Sequence, residues 1–189
     1  MTTATETTTQ AQNLIPAGSW VVDQVHSTVG FEVKHMVVST FRGDFKQFDA
    51  ELDSTNGTAR LVGTARPASI DVRDENLAAH LASAEFFDAE THPEIRFEST
   101  ALRVDDGGNL IADGELTVKG HTEAVEAHGQ LQHIAADISG SERVGITLEA
   151  KVDRRAFGLD WNAQLPKGGY ALGNDVTLKV ALELVPRAS

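Results

Sequence analysis

Two stretches decide the fold: Arg143-Val144-Gly145-Ile146-Thr147-Leu148-Glu149-Ala150-Lys151-Val152, and Val176-Thr177-Leu178-Lys179-Val180-Ala181-Leu182-Glu183-Leu184 near the C-terminus. In the first, Val144, Ile146, Leu148, Ala150 and Val152 alternate with Arg143, Thr147, Glu149 and Lys151. In the second, Val176, Leu178, Val180, Leu182 and Leu184 alternate with Thr177, Lys179 and Glu183. A strand points successive side chains to opposite faces, so each stretch is a strand with one apolar and one wet face.

The same period runs through the rest of the chain. Val29, Phe31 and Val33 alternate with Gly30, Glu32 and Lys34, and Phe48, Ala50 and Leu52 with Asp49, Glu51 and Asp53. Ala59, Leu61, Gly63 and Ala65 share one parity, as do Ile95 and Phe97. Leu110, Ala112, Leu116 and Val118 follow, then Val125, Ala127 and Leu131. Turn chemistry separates these runs. Asn56-Gly57 reads as a tight hairpin, Asp105–Asn109 as a longer loop, Lys119-Gly120-His121 as a closing turn, and Ile138–Ser141 as a looser connection. One segment breaks the pattern: from Asp74 to Phe87 the apolar positions Leu77, Leu81, Ala84 and Phe87 have helical spacing, with Asp74 placed to cap the start.

About eight one-sided strands joined by short turns imply an all-β antiparallel meander, stacked as a sandwich or closed as a barrel. A closed barrel of that size holds side chains or one small ligand. Small residues on the inward parity (Ala59, Gly63, Ala65, Ala112, Gly114, Ala127, Gly129) favour space inside, although they also ease strand curvature.

Composition narrows the function. The chain has 189 residues, 28 acidic against 16 Lys+Arg, a net charge of -12 and no Cys. Disulfides, Cys-ligated metals and a Cys nucleophile are excluded. The acidic balance argues against nucleic acid and anionic lipid surfaces as partners. With 41% hydrophobic but only 6% aromatic residues, the interior is aliphatic. No stretch has the apolar length of a membrane span, so no integral membrane association is expected. Met1–Asn13 is Thr-rich, lacks the cationic start and apolar run of a secretory signal, and is expected to be a disordered tail. A cytoplasmic protein is the corresponding expectation, with residues 14–189 forming one domain. A homodimer is left open.

Several ordered motifs carry a resemblance. They are Trp20-Val21-Val22-Asp23, His26-Ser27, Phe31-Glu32-Val33-Lys34-His35, Gly43-Asp44-Phe45, Ser69-Ile70-Asp71 and His80-Leu81. Phe86-Phe87-Asp88, His92-Pro93, Phe97-Glu98-Ser99-Thr100, Gly114–Gly120 and Asp153-Arg154-Arg155-Ala156-Phe157-Gly158-Leu159 complete the series. From about Ile15 onward the chain resembles the YceI family of polyisoprenoid-binding, lipocalin-like proteins. The resemblance implies a closed lipocalin-like barrel with one short helix and a long apolar tunnel. It also implies an isoprenoid chain, an isoprenoid quinone or a related amphiphile as ligand. One departure stands out: Leu77-Ala78 and Ala82 occupy places where the family carries Arg-Asp and Arg. Two cations are thereby missing, which favours a neutral or weakly polar head over a diphosphate, because a buried polyanion without cations is costly.

The expected ligand-binding residues follow from parity and the resemblance together. Val29, Phe31, Val33 and His35 share one face of the first strand. Phe45, Phe97 and Leu116 belong to later strands. Leu77, His80, Leu81, Phe86 and Phe87 come from the helical segment, and Arg155, Phe157 and Trp161 from the end of a strand near a mouth. Plain core packing is the competing reading for the aromatic residues, and a surface ion pair for Arg154 and Arg155. His80 makes either a hydrogen bond between helix and barrel or a polar contact to a ligand head.

The seven His are scattered, so no metal site is expected. No nucleophile elbow, P-loop or dinucleotide glycine pattern occurs, so no cofactor and no catalytic residue is expected. The leading expectation is a non-enzymatic binding protein for a long-chain lipid. The alternatives are a structural or interaction barrel with a filled core, and a lipid-modifying enzyme using His80 or His35.

Overall fold

The structure is a computed structural model that describes residues 14–188; the expected tail, Met1–Asn13, lies outside the described residues. In chain order the elements are β1 (Ser19–Val22), β2 (Thr28–His35), β3 (Ser39–Phe45), β4 (Phe48–Asp53), β5 (Arg60–Ala65) and β6 (Ile70–Asp71). Helix α1 (Glu75–Ala82) follows, then β7 (Ile95–Val104), β8 (Asn109–Val118), β9 (His121–Ile134), β10 (Arg143–Asp153) and β11 (Leu172–Pro186).

Every pairing is antiparallel and, apart from the closure by β11, joins staves of the barrel that follow one another along the chain. Three of the eight staves of the barrel are interrupted. β1 and β2 form one stave, broken at 23–27; β3 and β4 form the next, broken at Lys46-Gln47; β5 and β6 form the third, broken by a 3-10 turn at Pro67–Ser69. β11 closes the ring. It pairs with β1 from Trp20↔Pro186 to Val22↔Leu184, and with β2 from Thr28↔Ala181 to His35↔Leu172. The result is a closed eight-stranded antiparallel barrel, which the resemblance implied and which is one of the two arrangements the alternation left open.

The turns obey local chemistry. Lys119 and Gly120 have φ of 49° and 76°, the paired left-handed conformation of a two-residue hairpin matched to strand twist. Asn56-Gly57 is not such a turn. It sits in a six-residue loop between β4 and β5. Ser54 opens that loop, donating from its main chain to Gly18 O at 2.8 Å and from its hydroxyl to Pro16 O at 2.5 Å, which ties it to the N-terminal segment instead of the hairpin. A register shift between Ser99 and Ala101 in β7 moves the inward parity from Phe97 and Ser99 to Leu102 and Val104.

Helix α1 begins where Asp74 caps it, its carboxylate accepting from Leu77 N–H at 2.8 Å. It ends earlier than the apolar spacing implied, because Ser83 turns back and its hydroxyl donates to His80 O at 2.7 Å. α1 lies against β6 and the 3-10 turn before it, and among the described residues β6 is paired on only one side, with β3. The helix segment thus covers the place where the sheet is discontinuous, packing Leu81, Phe86 and Phe87 with Phe45 and Ile70.

The interior has two halves. Around β1, the barrel is solid: Trp20, Leu52, Leu110, Val144, Ile146 and Leu184 are fully buried and fill the cross-section. Toward α1, the packing opens into a cavity. The small inward residues divide between these halves. Gly63, Ala65 and Ala127 line the cavity, whereas Ala112 lies in the solid half. Gly114 leaves no space, since a Cβ there would sit 2.6 Å from the Phe97 ring. The filled-core expectation therefore holds for one half only.

Leu184 has no exposed surface and does not line the cavity. Leu184→Ala is expected to cost about 3 kcal/mol in chemical denaturation, the usual range for a leucine deleted from a core that cannot collapse. A second prediction concerns the loop between β9 and β10. Asp137 accepts from the Ser139 hydroxyl at 2.6 Å and from the N–H groups of Ser139 and Ser141, and it pairs with Arg143 at 2.8 Å. These donors, the Ser139 hydroxyl foremost, hold its carboxyl at about 2, below the usual 3.8. Its stabilisation is complete above the unfolded value and drains away as pH falls toward about 2. Thermal melts between about pH 4 and 2 should therefore fall more steeply for the wild type than for Asp137→Asn.

Candidate functional site

The cavity in the α1 half of the barrel has a volume of about 660 Å³. That is within the range of roughly 300–1,000 Å³ typical of small-molecule sites. Its wall is almost wholly aliphatic and aromatic. Val29, Phe31, Val33 and His35 face it from β2, Phe45 from β3, Phe97 from β7 and Leu116 from β8. Leu77, His80 and Leu81 reach it from α1, Phe86 and Phe87 from the turn beyond, and Phe157 and Trp161 from the segment after β10. Every residue expected from the sequence lines this one space except Arg155.

Arg155 is corrected by the geometry of its turn. β10 ends at Asp153, and a 3-10 turn over Arg154–Phe157 follows. Asp153 caps that turn and also grips the Arg155 guanidinium, at 2.6 Å to Nη2 and 3.0 Å to Nε. Arg155 therefore points outward as an exposed ion pair. Arg154 instead turns inward, is 5% exposed and lines the cavity. Its Nε donates to Gly173 O at 2.9 Å, and its Nη1 donates to Leu159 O and to Trp161 O. The strand period cannot tell Arg154 from Arg155, because it stops one residue before them.

The aromatic residues both pack and line the site. Phe31 lies 6.0 Å from Phe45 and 6.1 Å from Phe87, and Phe45 lies 6.0 Å from Phe87, so three rings form one wall. His80 does not bond to a strand. Its Nε2 meets Glu85 at 2.8 Å, and its ring stands edge-on to Phe86 and Trp161 at 5.0 and 4.9 Å. The inward residues of β10 and β11, among them Leu148, Val152, Leu178 and Val180, also line the cavity. Their alternation marks them as inward, but nothing in the sequence shows which inward residues border space and which are packed solid.

Exposed lining residues Met36, Ser39 and Ala163 mark a mouth. Beside it the β2–β3 loop exposes Val37 and Val38 at 82% and 89%. Met36 and Val37 adopt left-handed φ of 48° and 64°, a conformation costly for a β-branched side chain. Met36 N–H donates to Ala171 O at 2.7 Å, joining this loop to the segment before β11. Asn162 braces the same segment, its side chain bonding both Leu172 N–H and Leu172 O.

A separate cluster lies beside the solid half. Asp23, His26 and Glu183 bring three metal-ligand types within 4.8 Å of one another. The sequence hides it, since Glu183 comes from the far end of the chain. The Asp23 carboxylate bonds the His26 ring at 3.0 Å, which raises the pKa of His26 and lowers that of Asp23. Arg143 sits 3.1 Å from Glu183 and already supplies the cation the cluster would attract.

Comparison with known proteins agrees with this architecture. Residues 20–184 match the family described as the YceI-like domain. A UPF0312 protein of Staphylococcus epidermidis is 32% identical over 165 residues, covering 85% of this chain and 94% of that one. A UPF0312 protein of Staphylococcus aureus is 28% identical over 169 residues, covering 87% and 96%. Among solved structures, Burkholderia cenocepacia BcnA superposes with a TM-score of 0.73 at 25% identity, covering 86% of this chain and 98% of that one. A polyisoprenoid binding domain from Saccharophagus degradans shares the fold, with a TM-score of 0.64 at 12% identity over 89% of this chain and 98% of that one. Among the described residues no helix is long and apolar enough to cross a membrane. With its barrel, its order of motifs and a match over nearly the whole domain, the chain belongs to the YceI family.

Proposed function

We propose that this protein binds one long apolar molecule inside the barrel, an isoprenoid, an isoprenoid quinone or a related amphiphile, and carries or sequesters it without covalent chemistry. The observation that carries this reading is the cavity of about 660 Å³ with an apolar wall. An apolar space of this size left empty forfeits the contacts its lining would otherwise make. Water is a poor filling, because each buried water needs two to four polar partners and this wall offers few. An apolar chain satisfies the wall, contributing roughly 0.8 kcal/mol per buried methylene. Family membership and the polyisoprenoid-binding name of one structural neighbour support the same class of ligand.

Neither His80 nor His35 supports the enzymatic alternative. The hydrogen-bond partner of His80 is the exposed Glu85, and His35 has no side-chain hydrogen bond to a nucleophile among the described residues.

Mass spectrometry of a solvent extract of the purified, denatured protein should recover a long-chain lipid. Recovery of none, together with no binding of added polyprenols or quinones, would overturn the reading. Ala150 lines the cavity from β10 and is 7% exposed. Ala150→Phe is expected to keep the barrel, by circular dichroism, while weakening binding of a long chain about tenfold or more through lost buried length. Undiminished binding in that variant would place the ligand elsewhere.

A further inference from the structure

The cavity wall is apolar but holds one buried cation with unspent donors. Arg154 is 5% exposed, and no carboxylate pairs with it among the described residues. A guanidinium has five N–H groups in a fixed fork. The Nε group is spent on Gly173 O, and the two of Nη1 on Leu159 O and Trp161 O. The two N–H groups of Nη2 make no hydrogen bond among the described residues. Three carbonyl dipoles and the nearby carboxylates of Asp160 and Asp153 offset part of the cost of burying the charge, and none of these groups bonds Nη2.

We propose that Nη2 of Arg154 holds the polar end of the bound molecule through a single acceptor oxygen, of a carbonyl or a monoanionic carboxylate. This deepens the reading of the barrel as a carrier of a long apolar molecule and rests on it. The geometry narrows the head group in two ways. Fork-to-fork pairing with a phosphate or carboxylate needs two neighbouring guanidinium nitrogens, and both neighbours of Nη2 along the fork are occupied by main-chain carbonyls. One acceptor oxygen at a time is what the free nitrogen accommodates. Charge gives the second limit. No Lys and no other Arg lines the cavity, and Leu77 and Ala82 supply no cation from α1. A diphosphate would bring more negative charge into an apolar space than one guanidinium offsets. A quinone-type, amide or carboxylate oxygen fits both limits.

The placement also gives the ligand a direction. Arg154 bonds to the carbonyl of Trp161, whose ring touches His80 on α1. The polar end would rest at this side of the site, and the chain would run along the Phe31, Phe45 and Phe87 wall toward the solid half.

The test compares heads on one chain. Binding of an eighteen-carbon fatty amide, the matching fatty acid, the matching hydrocarbon and octadecyl diphosphate to the wild-type protein is measured by displacement of a fluorescent lipid. The amide and the acid separate the neutral carbonyl from the carboxylate. Either or both should bind roughly ten- to a hundredfold more tightly than the hydrocarbon, the range for a hydrogen bond to a charged group, and the diphosphate should gain nothing over the hydrocarbon. In Arg154→Met, checked for fold by circular dichroism, that advantage should vanish while hydrocarbon binding persists. The wild-type head series decides the matter if the variant does not fold. Equal binding of headed and headless chains, or tightest binding of the diphosphate, overturns the inference and leaves the carrier reading standing. Failure of every chain to bind overturns the carrier reading itself.

Discussion

The structure depends on the last strand clasping the first. β11 pairs with β1 at one end and β2 at the other, across the five-residue break at 23–27. Ser27 secures the break, its hydroxyl accepting from Glu183 N–H at 2.9 Å, while Asp23 N–H donates to Glu183 O at 2.8 Å. Without this clasp two strand edges would be left open, each a row of unpaired main-chain groups. With it, the apolar parity of every stave faces one enclosed interior, and the hydrophobic term acts on all eight at once.

Closure alone does not make a binding site; side-chain volume along the tube does. In the β1 half, Trp20, Leu52, Leu110, Val144, Ile146 and Leu184 meet across the axis and leave nothing to fill. In the α1 half, Gly63, Ala65, Ala127 and Ala150 hold the wall back. The breaks in the second and third staves belong to this second half as well. They let β6 end early and let α1, Phe86 and Phe87 cover the gap in place of a continuous sheet.

Much of this is legible in the sequence, and the exceptions have physical causes. Alternation such as that of Val144 to Val152 reveals a strand and its inward face, and the helical spacing of Leu77 and Leu81 reveals the one segment that is different. Parity carries no information about what lies across the barrel. For that reason Gly114 reads as open space although the Phe97 ring occupies it, and Ala112 reads like Ala127 although one is in the solid half. Alternation is also silent wherever the chain leaves the strand. Arg154 and Arg155 are equivalent as letters, and only the 3-10 turn capped by Asp153 sends one inward and the other to solvent. Asn56-Gly57 misleads for a related reason: the loop is governed by Ser54 and its bonds to Pro16 and Gly18, from a segment nearly forty residues earlier.

In the proposed carrier, an apolar wall and a buried cation divide the work of recognition. Contact with aliphatic and aromatic side chains supplies affinity in proportion to the area covered, and it discriminates poorly, since one methylene more or less is worth only about 1–3 kcal/mol. It also gives a chain no preferred direction. A buried donor acts differently, because an end group that fails to bond it leaves the donor unpaired in a space with little water. Aromatic residues are only 6% of the chain, yet seven of its eight Phe and Trp161 line the cavity, so the wall is less aliphatic than the composition implied. In such a carrier, the aliphatic and aromatic lining would accept a flexible chain of varied shape, and the scarcity of cations around the cavity would leave Arg154 as the point that fixes which end enters and how.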